Sequence, residues 1–257
     1  MEWKESFMEG VSLQKDIDEC SYMVKEKTLI VIPAFNEQHN ILKVIRDVQE
    51  CIPKADILVI NDCSVDSTSV KARMAKGVKV LDLPCNLGIG GAVQTGFKYA
   101  NAMGYHYMVQ IDGDGQHIPK EVEKLSNAME QSGCDMVIGS RFLDIQSYRS
   151  TWGRRIGIKV FYLLFRMLIN TKITDSTSGF RIYNKKSIEV LSKYYSSDYP
   201  EPDAIIVLKK HRLCICEVGV KMREREHGES SITMIKSPYY MAKVILSILL
   251  SCTRTRW

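Results

Sequence analysis

The sequence of 257 residues lacks several features that would assign a class at once. It has no charge-free apolar run of about 18 residues, so no transmembrane helix is predicted. The segment Met1–Glu5 is polar and acidic, so no signal peptide is predicted. The eight cysteines include no C-x-x-C pair, which argues against a zinc site and a disulfide framework. We therefore expect reduced, cytosolic thiols.

Two nucleotide-binding signatures are also missing. No G-x-x-x-x-G-K-[ST] segment is present, which argues against a P-loop NTPase. The glycine-rich segment Asn86–Gly91 is not the G-x-G-x-x-G that follows the first strand of a dinucleotide-binding fold. With 45% apolar and 25% charged residues, the composition predicts a globular chain of one large or two small domains.

Charge is unevenly distributed along the chain. The totals of 35 Lys and Arg and 30 Asp and Glu differ by only +5. Residues 1–140 carry 14 basic and 20 acidic side chains, a net of −6, whereas residues 141–257 carry 21 and 10, a net of +11. This asymmetry indicates an anionic partner for the basic part. The alternative is that surface charge simply varies along the chain.

Short apolar runs alternate with amphipathic segments in the first part of the chain. This order predicts an α/β fold with a mostly parallel sheet, helices on both faces, and ligands at the carboxyl ends of the strands. The predicted strands are Thr28–Ile32, Asp56–Ile60, Val78–Leu81, Tyr107–Ile111 and Asp135–Ile138, and the helices between them run from Gln38 to Cys51 and to about Lys76, Met103 and Gln131.

After Arg141 the regular alternation stops. The pattern predicts a polar turn over residues 174–184 that leads into a short strand, then a helix over Asp203–Lys210 and a strand over Cys214–Val220.

Two carboxylates, Asp112 and Asp114, follow the fourth predicted strand. They are one residue apart in a loop and can converge on one hard cation, Mg²⁺ or Mn²⁺, which prefers oxygen ligands and shares its shell with substrate phosphates. Gln116 can add an amide oxygen. The alternative is an ordinary turn, because Asp-Gly is a frequent turn dipeptide. The position at a strand end favours the metal site.

Asp62 ends the second predicted strand in the same way. Its carboxylate can accept hydrogen bonds from a base or a ribose. Alternatively it caps the next helix, although Asp66 or Ser67 could do so instead. The glycines of Asn86–Gly91 precede a helix and could approach a phosphate.

Six segments occur in register across roughly residues 28–235: Val31–Glu37, Val59–Asp66, Asn86–Gly90, Gln110–His117, Gly139–Phe142 and Asp175–Arg181. Together they resemble the family-two glycosyltransferases of GT-A fold. The Asp-x-Asp-x-Gln-His form, the Thr-Ser-Gly-Phe-Arg turn and the segment His227–Ser230 are similar to the polyprenyl-phosphate glycosyltransferases, the group of the dolichyl-phosphate mannose synthases.

The resemblance implies a role for each matched residue. It implies that the nucleoside of a nucleotide-diphosphate sugar is held by Pro33, Ala34, Glu37, Asp62 and Gly88, with Asp112 beside it. It implies that Mg²⁺ or Mn²⁺ on the diphosphate is held by Asp112, Asp114 and Gln116. It implies that the acceptor's phosphate meets Arg141, Arg154, Arg155 and Arg225, with Asp175 in the acceptor-side turn.

The acceptor decides which catalytic groups are required. A phosphate monoester, with its second pKa near ~6, is already an anionic nucleophile at pH 7. It then needs arginines for positioning, which favours inverting transfer to a polyprenyl (undecaprenyl or dolichyl) phosphate. A saccharide hydroxyl in cell-wall or capsular polysaccharide synthesis would need a general base, and Asp175 could serve. A non-catalytic nucleotide-sugar-binding subunit predicts broken metal residues, whereas Asp112 and Asp114 are both present.

Two apolar segments, Ile156–Ile169 and Tyr239–Cys252, are too short and too interrupted by charges to span a bilayer. Their aromatic residues and flanking cations are typical of amphipathic helices that lie on anionic lipids. The alternatives are a buried core helix or a docking face, for instance for a small integral membrane partner. We expect a polar extension (1–27), a GT-A domain (28–235) and a C-terminal amphipathic helix (236–257). We also expect peripheral contact with the cytoplasmic membrane face, and no nucleic-acid partner.

Overall fold

The computed structural model describes residues 26–143, 173–198 and 200–223. Within them, seven strands form one sheet: β1 (Thr28–Ala34), β2 (Asp56–Asn61), β3 (Val78–Asp82), β4 (Tyr107–Gln110), β5 (Met136–Ser140), β6 (Arg181–Asn184) and β7 (Ile215–Gly219). The helices are α1 (Ile41–Cys51), α2 (Thr68–Met74), α3 (Gly88–Ala102), α4 (Val122–Ser132), α5 (Lys185–Tyr194) and α6 (Pro200–Lys210), with a 3₁₀ turn at Pro119–Glu121.

The strand order across the sheet is β3-β2-β1-β4-β6-β5-β7. Strand β6 is antiparallel to both of its neighbours, and Arg181 faces Gln110 of β4 on one side and Ile138 of β5 on the other. The other described strands run in one direction. The predicted mostly parallel α/β sheet is confirmed. Because β6 is reversed, its amino end lies at the edge where the other strands end, so the turn before it joins the loops that follow β1, β2 and β4.

Alternating side chains of the strands supply two hydrophobic cores, one on each face of the sheet. In β1, Leu29 and Val31 pack with side chains of α3, α5 and α6. Ile30 and Ile32 of the same strand pack with side chains of α1, α2 and α4. A parallel strand buried on both faces needs this continuous apolar run. The predicted helices on both faces are confirmed.

Several element boundaries differ from the prediction. Helix α1 begins at Ile41 rather than Gln38, because residues 36–38 instead hydrogen-bond to the loop after β2. Strand β5 continues to Ser140. Helix α6 begins at Pro200 rather than Asp203, since proline is tolerated in the first turn of a helix. Helix α5 was not predicted; the side chain of Asn184 caps it by accepting a hydrogen bond from the Ser187 N–H.

Several predictions fall outside the described residues. Among the described residues, no helix combines the length and the apolar character needed to cross a membrane. The predictions outside the described ranges concern Ile156–Ile169, Tyr239–Cys252, His227–Ser230, Arg154, Arg155 and Arg225.

Candidate active site

The loops after β1 and β2 are joined by hydrogen bonds. The Asn36 N–H donates to Ser64 Oγ at 2.9 Å, and the Val65 N–H donates to Asn36 Oδ1 at 3.0 Å. The Glu37 N–H donates to Thr68 Oγ1 at 2.8 Å. Asn36 adopts the left-handed conformation (φ 55°), which asparagine tolerates better than most residues. The two loops are therefore held together as one wall at the carboxyl edge of the parallel strands.

Asp62 does not cap the helix that follows it. Ser67 occupies the N-cap position of α2 without a side-chain cap hydrogen bond, and Asp66 Oδ1 accepts the N–H of Thr68, the first helical residue, at 2.9 Å. Asp62 is buried, and its Oδ1 accepts the Leu87 N–H at 2.7 Å. Asp62 thus fixes the entrance to α3, where Gly88 adopts φ +74°. The structure brings Asp62 and Gly88 to the same part of the edge, as predicted.

The glycine-rich start of α3 has a packing role that the sequence did not reveal. A Cβ on Gly90 would lie 2.3 Å from the backbone oxygen of Ser197, in the loop between α5 and α6. Gln94 adds a hydrogen bond from its Nε2 to the Tyr195 oxygen at 2.8 Å. Gly90 therefore serves close approach of two backbones, as small residues do in tight packing.

The backbone at Asp112 is held by the side chain of His117. The Asp112 N–H donates to His117 Nδ1 at 3.0 Å, so the imidazole proton belongs on Nε2, which lies 3.7 Å from Asp112 Oδ2. His117 is buried and stacks on Phe180, with ring centroids 4.8 Å apart. The imidazole thus fixes the backbone at Asp112, while the Asp112 side chain remains 32% exposed.

Asp114 lies on the same loop as Asp112. It is 7% exposed, and its Oδ1 accepts the Gln116 N–H at 3.0 Å. The Gly113 N–H donates to the Pro33 oxygen at 3.2 Å, and a Cβ on Gly113 would lie 3.3 Å from Ala34 Cβ. The loop therefore packs directly on the end of β1, which places the predicted nucleoside and metal residues side by side.

The donor set of this loop fits Mg²⁺ or Mn²⁺. Both ions prefer oxygen ligands, and Mg²⁺ is often held by one or two carboxylates together with substrate phosphates. Asp112 and Asp114 supply two carboxylates, and Gln116 is half-buried beside them. In the part of the chain that the structure describes, no cluster of three or more His, Cys, Asp or Glu side chains forms a closed metal cage.

Arg141 is held by Asp175 at the end of β5. Its Nε donates to Asp175 Oδ2 at 2.8 Å and its Nη2 to Oδ1 at 2.7 Å, a bidentate pair. The Arg141 N–H also donates to Oδ2 at 3.1 Å, and Nη2 reaches Thr177 Oγ1 at 3.1 Å. Such planar, charge-assisted pairs fix orientation as well as position. The guanidinium of Arg141 therefore has a defined plane before any ligand binds.

The environment of Asp175 argues against a role as a general base, which the sequence left open. Asp175 is 1% exposed and both of its oxygens accept hydrogen bonds from Arg141. Glu217 of β7 fixes the backbone of the same turn, since its Oε1 accepts the Asp175 N–H and its Oε2 the Thr174 N–H, both at 2.7 Å. Burial raises the pKa of Glu217. The geometry indicates that Asp175 positions Arg141.

Arg181 is fully buried and ties the turn before β6 to the start of α6. Its Nε donates to the Ser178 oxygen at 2.6 Å, its Nη2 to the Ser176 oxygen at 2.8 Å and its Nη1 to the Glu201 oxygen at 2.9 Å. The guanidinium has the several donors that three carbonyl groups require. Arg181 belonged to a matched segment, but no role was predicted for it.

Glu201, in the first turn of α6, was missed by the sequence analysis. Burial raises the pKa of its carboxyl; the charge of Arg181 opposes this, and the charges of Asp112 and Arg141 also act on it. Asp112 lies in the loop Asp112–His117, the predicted metal loop. Pro200 and Pro202 could have indicated Glu201 from the sequence. Proline is common in the first turn of a helix, so these two residues would have extended the predicted helix to include this glutamate.

Gly179 packs the turn before β6 against the predicted metal loop. A Cβ at this position would lie 2.9 Å from Gln110 Nε2 and 3.1 Å from Asp112 Oδ2. The Gln110 Nε2 donates to Asp112 Oδ1 at 3.3 Å. The described site residues all lie at one edge of the sheet: Pro33, Ala34, Glu37, Asp62, Gly88, Asp112, Asp114, Gln116, Arg141 and Asp175.

Comparisons with known proteins agree with this architecture. Residues 29–192 match the family model described as glycosyl transferase family 2. The chain is 30% identical over 225 residues to the polyprenol monophosphomannose synthase of Mycolicibacterium smegmatis, covering 84% of each chain. It is 29% identical over 219 residues to the undecaprenyl-phosphate mannosyltransferase of Micrococcus luteus, covering 80% of this chain and 88% of that one.

A solved structure shares the fold. Glucosyl-3-phosphoglycerate synthase from Mycobacterium tuberculosis, in complex with Mn²⁺, UDP-glucose and phosphoglyceric acid, superposes with a TM-score of 0.66. The superposition covers 89% of this chain and 80% of that one, at 21% sequence identity. This similarity shows the GT-A fold.

Proposed function

Because the chain belongs to glycosyltransferase family 2, we propose that it transfers a sugar from a nucleotide-diphosphate sugar to a polyprenyl phosphate, with inversion and with Mg²⁺ or Mn²⁺. The observation that carries the proposal is the guanidinium of Arg141, fixed by Asp175 at the edge of the sheet that carries the metal loop. An arginine with a preset plane suits a tetrahedral, anionic acceptor group.

On the donor side, the wall that receives the nucleoside is formed by Pro33, Ala34, Glu37, Asp62 and Gly88. This wall is supported by the hydrogen bonds between its loops. Asp112, Asp114 and Gln116 would hold the cation, which when bound stabilises the negative charge of the leaving diphosphate. His117 fixes the backbone of this loop at Asp112, because its Nδ1 accepts the Asp112 N–H.

On the acceptor side, a phosphate monoester requires no proton removal at neutral pH. This agrees with the hydrogen bonds of Asp175, because both of its carboxylate oxygens accept hydrogen bonds from Arg141. Two relatives support the choice of acceptor, because their names state polyprenol monophosphomannose synthesis and transfer to undecaprenyl phosphate. Arg154, Arg155 and Arg225 remain predicted phosphate contacts outside the described residues.

Glu201 favours a second candidate function, transfer to a saccharide hydroxyl. A raised pKa brings a carboxyl closer to the range that suits a general base. The backbone oxygen of Glu201 accepts a hydrogen bond from Arg181 Nη1 at 2.9 Å, which ties this residue to the turn that carries Asp175. A hydroxyl acceptor would need this base, whereas a phosphate acceptor would not.

An acceptor assay separates the two candidates. The protein is incubated with Mg²⁺ or Mn²⁺, a panel of labelled nucleotide-diphosphate sugars, and either undecaprenyl phosphate or soluble saccharides. We expect label in an acid-labile, organic-soluble product, and only a modest loss, below about tenfold, in E201Q, because a phosphate needs no base. Label in soluble saccharides alone, lost by about 10²-fold or more in E201Q, would establish the second candidate instead.

Replacing Asp175 with Asn tests the clamp on Arg141. The variant keeps the shape of the side chain but loses its charge and one acceptor, so the guanidinium is no longer held by a bidentate, charge-assisted pair. We expect kcat/KM for the acceptor to fall roughly 10–100-fold, the range typical of groups that orient a ligand, while KM for the donor stays within about twofold. The matched control is D198N, at an exposed aspartate before α6. An effect on donor KM alone would contradict the positioning role.

We further propose the division of the chain that its sequence predicts: an extension (1–27), a GT-A domain (28–235) and an amphipathic helix (236–257). Peripheral membrane contact through Ile156–Ile169 and the terminal helix would bring the Arg141 region towards a lipid-borne phosphate. A small integral membrane partner that docks on the same helices would have the same effect. The basic charge of residues 141–257 suits an anionic leaflet.

A further inference from the structure

Two cysteines meet at the edge of the sheet opposite the candidate active site. Cys134 lies just before β5 and Cys214 just before β7, and these parallel strands enter the sheet side by side. The two Sγ atoms are 2.7 Å apart, although the residues are 80 positions apart in the sequence. Cys216, two residues after Cys214 and within β7, is a third thiol of this cluster. The sequence spacing gave no sign of the cluster.

Backbone hydrogen bonds hold the two cysteines in place. The N–H groups of Asp135 and Met136 donate to the Cys214 oxygen at 2.8 and 3.2 Å. The Cys214 N–H donates to Asp135 Oδ2 at 2.8 Å, and Asp135 Oδ1 also accepts from Asn184 Nδ2 at 2.8 Å. The relative position of the two thiols is thus set by the sheet itself and by a side chain anchored to β6.

The two thiols differ in accessibility in a way that suits stepwise oxidation. Cys214 is exposed, whereas Cys134 is 4% exposed and lies in the core beneath α4. A reagent in solution therefore reaches Cys214 first. Cys134 is then the thiol in place to complete the reaction, because its sulfur already touches that of Cys214.

We propose that Cys134 and Cys214 are a site of reversible disulfide formation. With a low-molecular-weight disulfide as oxidant, the Cys214 thiolate attacks one sulfur of the reagent and releases one thiol. The Cys134 thiolate then attacks the Cys214 sulfur, displaces the second thiol and forms the intramolecular bond. Two cysteine thiols are oxidised and one reagent disulfide is reduced to two thiols, which carry the two protons.

The disulfide bond would link the edge strand β7 covalently to β5. Strand β7 is the last in the order and pairs with β5 alone among the described strands. It leads to Met222, which forms a bridge with His117, and to Arg223, whose N–H donates to the Gln116 oxygen at 2.8 Å. A covalent link between β5 and β7 would therefore stabilise the strand that supports both the metal loop and, through Glu217, the Asp175 turn.

Peptide mapping of the full chain tests the proposal without any variant. The purified protein is treated with oxidised glutathione at mildly alkaline pH, because the hydrogen bond to Cys134, with burial second, raises the pKa of Cys214 to about 11. We expect one linked peptide pair containing Cys134 and Cys214, lighter by two hydrogens and restored by dithiothreitol. A glutathione adduct on Cys214 alone, or a bond from either cysteine to Cys216, would overturn the assignment.

Thermal unfolding provides a second test. Closing a loop of this length is expected to raise the Tm of the oxidised protein by roughly 5–10 °C over the reduced protein. The shift should vanish in C214S and persist in C85S, at an exposed cysteine elsewhere on the surface. An equal shift in C214S, or no shift in the wild type once the linked peptide has formed, would show that the bond does not fasten β7.

Discussion

Replacing Asp114 with Asn is expected to lower turnover by about 10³-fold or more in the presence of Mg²⁺ or Mn²⁺. The substitution removes one of the two negative charges offered to the cation while keeping the size of the side chain. Stabilisation of a leaving group by a metal contributes several kcal/mol, and each 1.36 kcal/mol corresponds to about a factor of ten in rate. Initial rates with saturating donor and acceptor measure the loss.

Two further measurements make this result specific to the metal. A titration with Mn²⁺ should show that D114N needs a higher concentration for half-maximal activity than the wild type. The matched control, E123Q, removes an exposed carboxylate on α4 and should retain full activity. Unchanged turnover in D114N, in a sample with the wild-type Tm, would mean that this loop is not the metal site.

Replacing Arg181 with Leu is expected to destabilise the fold by about 3–5 kcal/mol, because the carbonyl oxygens of Ser176, Ser178 and Glu201 all lose their donor. For a chain of this size we expect a fall in Tm of roughly 10 °C. Equilibrium unfolding in urea and a thermal scan measure the two quantities. The turn before β6 and the start of α6 should loosen together, since the guanidinium connects them.

Lysine at this position separates charge from geometry. R181K keeps the positive charge but cannot reach three carbonyl groups with a planar fork, so we expect it to recover only part of the lost stability. R46L, at an exposed arginine on α1, controls for the introduction of leucine and should change stability by less than about 0.5 kcal/mol. A loss in R181L no larger than in R46L would contradict the structural role of the buried guanidinium.

Much of the fold and part of the site follow from local sequence pattern. The all-apolar run of β1 predicts a strand buried on both faces, and the two cores bear this out. Because parallel strands end at one edge, the sequence also predicts that Asp62, Asp112 and Arg141 meet there. Their individual contacts could not be predicted from the sequence. Asp62 accepts the Leu87 N–H, and Asp175 accepts hydrogen bonds from Arg141. Both contacts form only after strands that are distant in the sequence have paired.

Residue type and spacing by themselves determined the alternating α/β architecture, the carboxylate pair after β4 and the division into an acidic and a basic part. These depend on short-range periodicity and on the chemistry of individual side chains. The tertiary structure decided the insertion of β6 between β4 and β5, the hydrogen bond from Arg181 to the Glu201 oxygen, and the meeting of Cys134 with Cys214. Each of these joins residues far apart in the chain, and only the pairing of strands and the packing of helices bring them together.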